Sequence, residues 1–225
     1  MRLRGWDWGL AAGAIVVAGV CVRLGLWQID RLGERRARNA EVNDARDRPP
    51  LEITGTGFAA ESVANRRVTA RGVYDYDRER LWRGRTYKGM PGVHILTPLR
   101  LSDGSAVLVD RGFVPSPDAA RIDLAAFRGA DSVQIEGFGA PLPRGRADVD
   151  PVALRDSLPY ALAPFGIALL PSPSASVRPR PPLPLEPPAL GNGPHLTYAV
   201  QWFSFAIIAL VGTAALLLRG RVPSR

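Results

Sequence analysis

Sulfur chemistry is nearly missing from this chain, whose 225 residues include one cysteine, Cys21, and two methionines. A single thiol closes no disulfide within the chain and builds no Cys-x-x-Cys site for zinc, copper or thiol exchange. Histidine is almost as scarce: only His94 and His195 occur, in separate segments, which leaves a Ser-His-Asp arrangement without support. There is no nucleophile elbow, Walker loop, His-Glu-x-x-His or dinucleotide fingerprint, and no acidic residue stands in a motif that marks a general acid. The expectation is a protein that is not an enzyme. Lysine is reduced to Lys88, a preference for arginine that carries no functional content.

Charge is missing from two stretches, residues 9 to 22 and 196 to 218. Of the formal net charge of +8, only +3 falls between residues 28 and 195; the remainder sits on Arg2, Arg4, Arg23, Arg219, Arg221 and Arg225, offset by Asp7. A nucleic-acid binder would crowd its basic residues onto one folded surface, so this distribution argues against one.

Both uncharged stretches are long enough to span a lipid bilayer. From Trp8 to Leu26 the chain is apolar except for Arg23, near the exit, where its stem can snorkel to the headgroups. At ~1.5 Å per residue the run just crosses a hydrocarbon core of ~30 Å. Trp6, Trp8 and Trp27 bracket it as interfacial anchors. A cleaved signal peptide is the alternative, but the run exceeds a typical signal core and no small-x-small cleavage site follows it. Leu196 to Leu218 is uncharged on every face, which no water-soluble helix of so short a chain requires. The reading is therefore a transmembrane helix over 6–27, a juxtamembrane helix over 28–48 that stops at Pro49-Pro50, and a mostly-β domain over 49–170. A proline-rich return linker over 171–194 and a second transmembrane helix over 195–218 complete it. Two spans put both termini on one side, and the arginine balance narrowly favours cytoplasmic tails with the central domain outside the cytoplasm. Gly9, Gly13 and Gly19 give the first span small faces for close helix packing.

Between the spans the periodicity shortens. Leu51 to Gly57, Arg67 to Tyr74, Glu79 to Gly84, Gly92 to Leu101, Ser105 to Arg111 and Ser132 to Gly139 are short runs rich in Val, Ile, Thr, Tyr and Leu, separated by turn formers. Ser102-Asp103-Gly104 between two of them reads as a hairpin turn. The fold class is thus a membrane protein with two transmembrane α-helices flanking a small mostly-β (α+β, antiparallel) domain, an open sheet or a partly closed barrel. Short helices are expected over 118–128 and 152–163. Eight prolines between Pro171 and Pro188 imply an extended spacer.

Two residues stand out as ligand candidates. His195 directly precedes the second span, so its ring should lie at the membrane surface over an apolar wall. There it could ligate haem iron through neutral imidazole, or, as an ordinary interfacial histidine, bond headgroups or cap the helix. Arg111 ends a hydrophobic strand before Gly112 and could fork onto a carboxylate, a haem propionate included, or onto a structural Asp or Glu. His94, inside a predicted strand, is by default a structural histidine.

Four segments together carry a resemblance. Leu24-Gly25-Leu26-Trp27-Gln28-Ile29-Asp30-Arg31-Leu32, Gly89-Met90-Pro91-Gly92-Val93-His94-Ile95-Leu96-Thr97-Pro98-Leu99, Val109-Asp110-Arg111-Gly112-Phe113-Val114-Pro115 and His195-Leu196-Thr197-Tyr198-Ala199-Val200-Gln201-Trp202-Phe203 resemble, in order and spacing, the signature segments of the Surfeit locus protein one (Shy1-like) family of cytochrome c oxidase assembly factors. The likeness covers essentially the whole chain. It implies two terminal spans around a domain outside the cytoplasm, in a bacterial plasma membrane. It also implies assistance in building haem-copper cytochrome c oxidase, with haem A passed to subunit one and with haem A synthase or other assembly factors as partners. The family's haem-linked histidine corresponds to His195, which would be the iron ligand; Tyr198, Gln201 and Trp202 belong to the same block. Gly92 and His94 match its glycine-rich histidine segment, and Arg111 with Gly112 its arginine-glycine turn. Phe113 stands where the family usually has tryptophan, and Asp110 where it often has asparagine. A cofactor-free partner that steadies an oxidase assembly intermediate is the alternative.

Overall fold

The computed structural model describes residues 5–116, 122–142, 149–171, 180–184, 187 and 189–219. It divides into two compact units, Met1–Glu41 with Ala189–Arg225, and Val42–Pro188.

The first unit is a pair of helices. α1 (Gly5–Asp47) runs 43 residues without a break, so span and juxtamembrane segment are one rod, and its last turns belong to the second unit. α4 (His195–Arg219) is its partner. Most of both is apolar and outward-facing: only 17% and 6% of their most apolar windows are buried. A helix in a soluble core would show the reverse, and so large an exposed apolar surface calls for a lipid solvent. The buried residues of α1 are Ala18, Cys21, Gly25, Gln28 and Leu32, a 3-4-3-4 spacing that makes one narrow seam. Ala199 and Ala206 are its buried counterparts on α4, with Trp202 closing over Ala18, Cys21 and Ala206. Small residues let the backbones approach, the usual basis of helix association in lipid. Gly25 is the tightest point, where an added Cβ would lie 2.6 Å from the Phe203 ring. Gly9, Gly13 and Gly19, expected to serve this role, have nothing within 4 Å of where a Cβ would stand. Near that end the helices instead leave an open apolar groove of about 630 Å³, with Gly9, Gly13 and Ala209 among its walls.

The second unit is built on seven strands: β1 (Leu51–Ile53), β2 (Arg67–Tyr74), β3 (Arg80–Tyr87), β4 (Met90–Arg100), β5 (Ala106–Pro115), β6 (Ser132–Pro141) and β7 (Leu162–Leu169). They lie in the order β1-β2-β6-β7-β5-β4-β3, and a further pairing of Val73 and Tyr74 with Arg100 and Leu99 joins β2 to β4. Five strands, β2, β6, β7, β5 and β4, thereby close on themselves, with β1 and β3 as flanking edges. Closure removes the exposed edges of the central strands. Side chains alternate across β5 as the pleat requires: Val107 and Val109 enter one core with Leu99, Phe165 and Ile167, while Ala106 and Leu108 enter another with Leu96, Leu154 and Leu162. Two short helices, α2 (Ala60–Val63) and α3 (Pro151–Ser157), pack over the strands. Asp150 caps α3 by accepting from the Val152 and Ala153 amides.

Four expectations change. The sheet is mixed, since β1–β2 and β5–β7 are parallel beside five antiparallel pairs. The helix expected over 152–163 stops at Ser157, because Leu158 precedes Pro159 and leaves the helical region; Leu162 onward is β7. Pro164 is tolerated there because it falls where the β5–β7 register jumps, between the Ala106↔Leu162 and Leu108↔Gly166 pairs. Of the helix expected over 118–128, the described part holds a single 3₁₀ turn, Leu124–Phe127, and residues 117–121 lie outside the described residues. Finally, the proline-rich linker does more than span distance: Leu183 pairs with Phe113 through two 2.8 Å backbone hydrogen bonds. Gly112 permits this contact, holding φ at +121° where a Cβ would lie 2.2 Å from the Leu183 carbonyl oxygen. Most of 171–188 lies outside the described residues.

Candidate functional site

His195 is the first residue of α4 and is half-buried against α1. Its Nδ1 lies 2.8 Å from the Oε1 of Gln28, one position of the α1 seam. Two further α1 residues, Arg35 and Asn39, continue the same 3-4 spacing and hold the loop that delivers the histidine. Arg35 Nε donates to the Gly191 carbonyl at 2.8 Å, and Asn39 Nδ2 donates to the same oxygen at 3.3 Å. Gly193 turns the chain at φ +67°, and an added Cβ there would lie 3.5 Å from His195 Nε2. One helix face thus fixes the loop, the ring and its free edge together. Arg31 lies over the Trp27 ring at 5.7 Å and pairs with Glu34 at 2.8 Å, giving this stretch of α1 a half-exposed cation.

The other block members on α4 play different parts. Tyr198 and Gln201 face outward, Tyr198 at 45% exposure, while Trp202 packs into the helix seam and meets Phe205 edge-on.

His94 and Arg111 belong to the β-domain, the other unit. His94 Nδ1 lies 2.7 Å from Asp110 Oδ2, and Asp110 Oδ1 accepts from the Gly112 amide. The imidazole is buried between Trp82 and Phe113, each edge-on at about 6 Å. Arg111 Nη1 donates to Glu79 Oε1 at 2.8 Å inside the protein, and Nη2 donates to the Phe127 carbonyl. The guanidinium lies against both Tyr74 and Tyr76, 5.4 and 5.2 Å from ring centroids that are themselves 5.6 Å apart. Thr97 Oγ1 also donates to Glu79 Oε1, whereas Glu79 Oε2 is buried with no hydrogen-bond partner. Burial in this enclosure pushes the Tyr74 hydroxyl up to about 12, against the opposing pull of the Arg111 charge. Arg111 therefore has its fork engaged by the fold, the structural alternative that the sequence left open.

The sequence pointed to His195, Tyr198, Gln201 and Trp202 as one block, and the structure keeps them on two turns of one helix. It brings Gln28 and Gly193 to His195, and Arg35 and Asn39 to the Gly191 carbonyl of the loop before it. Gln28 stands in the first of the four resembling segments, where the sequence alone gives it no role. The signal was the seven-residue repeat 18-21-25-28-32-35-39, in which a polar residue at position 28 is out of place for lipid.

Among the described residues no three His, Cys, Asp or Glu side chains form a metal-holding cluster. The donor set at the helix seam is instead a single imidazole with Nδ1 engaged, which would hold a haem iron through its other ring nitrogen. Exposed apolar side chains of α4, Leu196 and Tyr198, and the half-exposed Arg31 of α1 are of the kinds that would suit a porphyrin with carboxylate tails. The residues present fit that group.

Fold and site together define a membrane-anchored β-barrel domain whose candidate ligand residue sits where the second helix begins. Residues 15–207 match the SURF1 family profile, and the chain belongs to that family. It is 26% identical to a SURF1-like protein of Monosiga brevicollis, over 92% of this chain and 85% of that protein. It is 29% identical to uncharacterised SURF1-like proteins of Mycobacterium bovis and Mycobacterium tuberculosis, over 92% of this chain and 82% of each.

Proposed function

We propose that this chain is a non-enzymatic assembly factor for haem-copper cytochrome c oxidase, holding haem A at the membrane surface and releasing it to subunit one. The observation that carries the reading is the His195 ring, tethered at Nδ1 by Gln28 and placed at the head of an apolar helix. Haem is cargo here: the chain's own residues hold, orient and release it. His195 is the iron ligand, Tyr198 and Leu196 offer exposed apolar surface beside it, and Arg31 offers charge to a propionate. His94 and Arg111, engaged inside the β-domain, support the fold that partners recognise. Haem A synthase or other assembly factors are the expected neighbours. The arginines beyond both helices favour cytoplasmic tails in a bacterial plasma membrane, with the β-domain on the opposite side.

The test is the absorption spectrum of the protein purified from cells that make haem A. Haem should copurify with the wild type and be lost from His195→Ala. A wild type without haem, or a haem signal indifferent to the substitution, overturns the reading.

A second reading, a cofactor-free partner of an assembly intermediate, is favoured by the open groove beside Gly9 and Gly13, which another transmembrane helix could fill. It requires oxidase subunits to copurify even when haem synthesis is blocked; loss of association under that condition returns the case to the first reading.

A further inference from the structure

We infer that Gln28 is a positioning residue for His195: its side-chain carbonyl holds the proton of the imidazole on Nδ1, so that Nε2 presents a lone pair to a ligand on the face that Gly193 leaves open. The inference rests on the haem reading for the identity of that ligand, but the state of the ring is a property of the chain alone.

A neutral imidazole has one N–H and one lone pair, and which nitrogen carries the proton decides which can bind a metal. The 2.8 Å contact joins Nδ1 to Gln28 Oε1. An amide oxygen accepts and does not donate, so this contact requires the proton at Nδ1 and leaves Nε2 unprotonated. Gln28 is 9% exposed and sits on the helix seam, between Gly25 and Leu32. There it has little water to satisfy it, and the pairing with His195 removes the cost of an orphaned amide oxygen. On the far side, Gly193 adopts φ +67°, and a Cβ there would stand 3.4 Å from Cδ2 and 3.5 Å from Nε2 of His195. Glycine at this position keeps the ligand-facing edge of the ring clear. Arg35 and Asn39, by holding Gly191, fix the loop in which Gly193 lies.

The choice of an amide over a carboxylate has a consequence. A carboxylate at Nδ1 draws the imidazole toward imidazolate and makes Nε2 a stronger donor, as in carboxylate–histidine–metal triads. An amide leaves the imidazole neutral and Nε2 a weaker donor, which would suit a protein that must let its cargo go.

The experiment uses the full chain in detergent, labelled with ¹⁵N-histidine. With two histidines in the chain, comparison with His195→Ala assigns both pairs of ring signals. In the metal-free wild type, His195 should read as the Nδ1–H tautomer. Gln28→Leu should shift its population toward Nε2–H, and haemin titration should show at least roughly a tenfold loss of affinity. Gln28→Glu keeps an acceptor, so it should keep the Nδ1–H tautomer, retain haem and move the haem midpoint potential negative. Unchanged ring signals in Gln28→Leu, or an Nε2–H tautomer in the wild type, overturn the inference. If the wild type binds haem through His195 while Gln28→Leu matches it, the positioning role fails and the haem reading stands. If no haem binds yet the ring signals follow Gln28, the positioning role stands and the haem reading fails.

Discussion

Both histidines place Nδ1 against a side-chain oxygen, His94 at 2.7 Å from Asp110 and His195 at 2.8 Å from Gln28. Their surroundings differ. His94 lies in β4 with aromatic rings on two sides, and its carboxylate partner also takes the Gly112 amide, so every contact leads back into the barrel. His195 opens a helix, is half-buried, and is held by a loop that is itself tied down from α1. The same local bond therefore serves enclosure in one unit and presentation in the other. Arg111 sharpens the contrast. The sequence offers it as a cation for a ligand, and the barrel has closed over it.

The largest effect should come from the enclosure. Arg111→Met leaves the Glu79 carboxylate buried without its counter-charge, and should destabilise the β-domain by ~3–5 kcal/mol. Chemical unfolding followed by near-ultraviolet dichroism measures this. Adding Glu79→Leu should restore much of the loss, because the unpaired charge goes with it. Haem content per folded molecule should stay unchanged; a specific loss of haem would move Arg111 back to the ligand side of the comparison.

Alkaline pH probes the same enclosure. The Tyr74 hydroxyl is held at about 12 against an ordinary 10.0, chiefly by burial. The fold prefers the neutral phenol, so its contribution is whole below pH ~10 and drains away as pH rises toward 12. At about 1.4 kcal/mol per unit, the loss is on the order of 2 kcal/mol. Tyr160, raised by burial and by its bond to Asp75, adds a loss of the same sign. The informative quantity is thus the difference between the wild type and Tyr74→Phe, which should lack the Tyr74 part of the decline between pH 10 and 12. Identical stability curves would contradict the burial of that hydroxyl.

A direct comparison of the histidines comes next in size. His94→Ala removes a buried hydrogen bond to Asp110 and should cost about 1–3 kcal/mol, with haem retained. His195→Ala should change stability by less than about 1.5 kcal/mol while haem is lost. Titration with haemin and thermal unfolding of both variants give four numbers, and the reverse pattern would exchange the roles assigned to the two residues.

These roles were unevenly legible in the sequence. β2 is found at the residues expected, Arg67–Tyr74, because its alternation and flanking turn residues are local signals. β7 escaped notice because Leu162–Leu169 contains Pro164 and Gly166, and its parallel pairing with β5 joins residues more than fifty positions apart. Glu79 as the partner of Arg111 is equally nonlocal: 32 positions separate them, and the pairing of β3 and β5 on either side of β4 is what brings them together. The His195 block was legible as a block. Its partner Gln28 lies 167 positions away on another helix, visible beforehand only as one polar residue on an otherwise small and apolar stripe.

The smallest effect is expected at an exposed turn, where neither enclosure nor presentation operates. In the β4–β5 hairpin, Asp103 Oδ1 accepts from the Ser105 hydroxyl at 2.6 Å and from the Ser105 amide at 2.9 Å. These bonds hold its carboxyl below the ordinary carboxylate range. A depressed folded-state pKa means that the contribution is whole above the unfolded value and fades as pH falls through the folded one. Asp103→Asn removes the charge and should flatten that acid-side fall slightly, measured as the difference in melting temperature between pH 6 and pH 3. Because the carboxyl is fully exposed, a change comparable to that of Arg111→Met would mean that the turn is coupled to the barrel core, and the division between buried and presented polar groups would need to be redrawn.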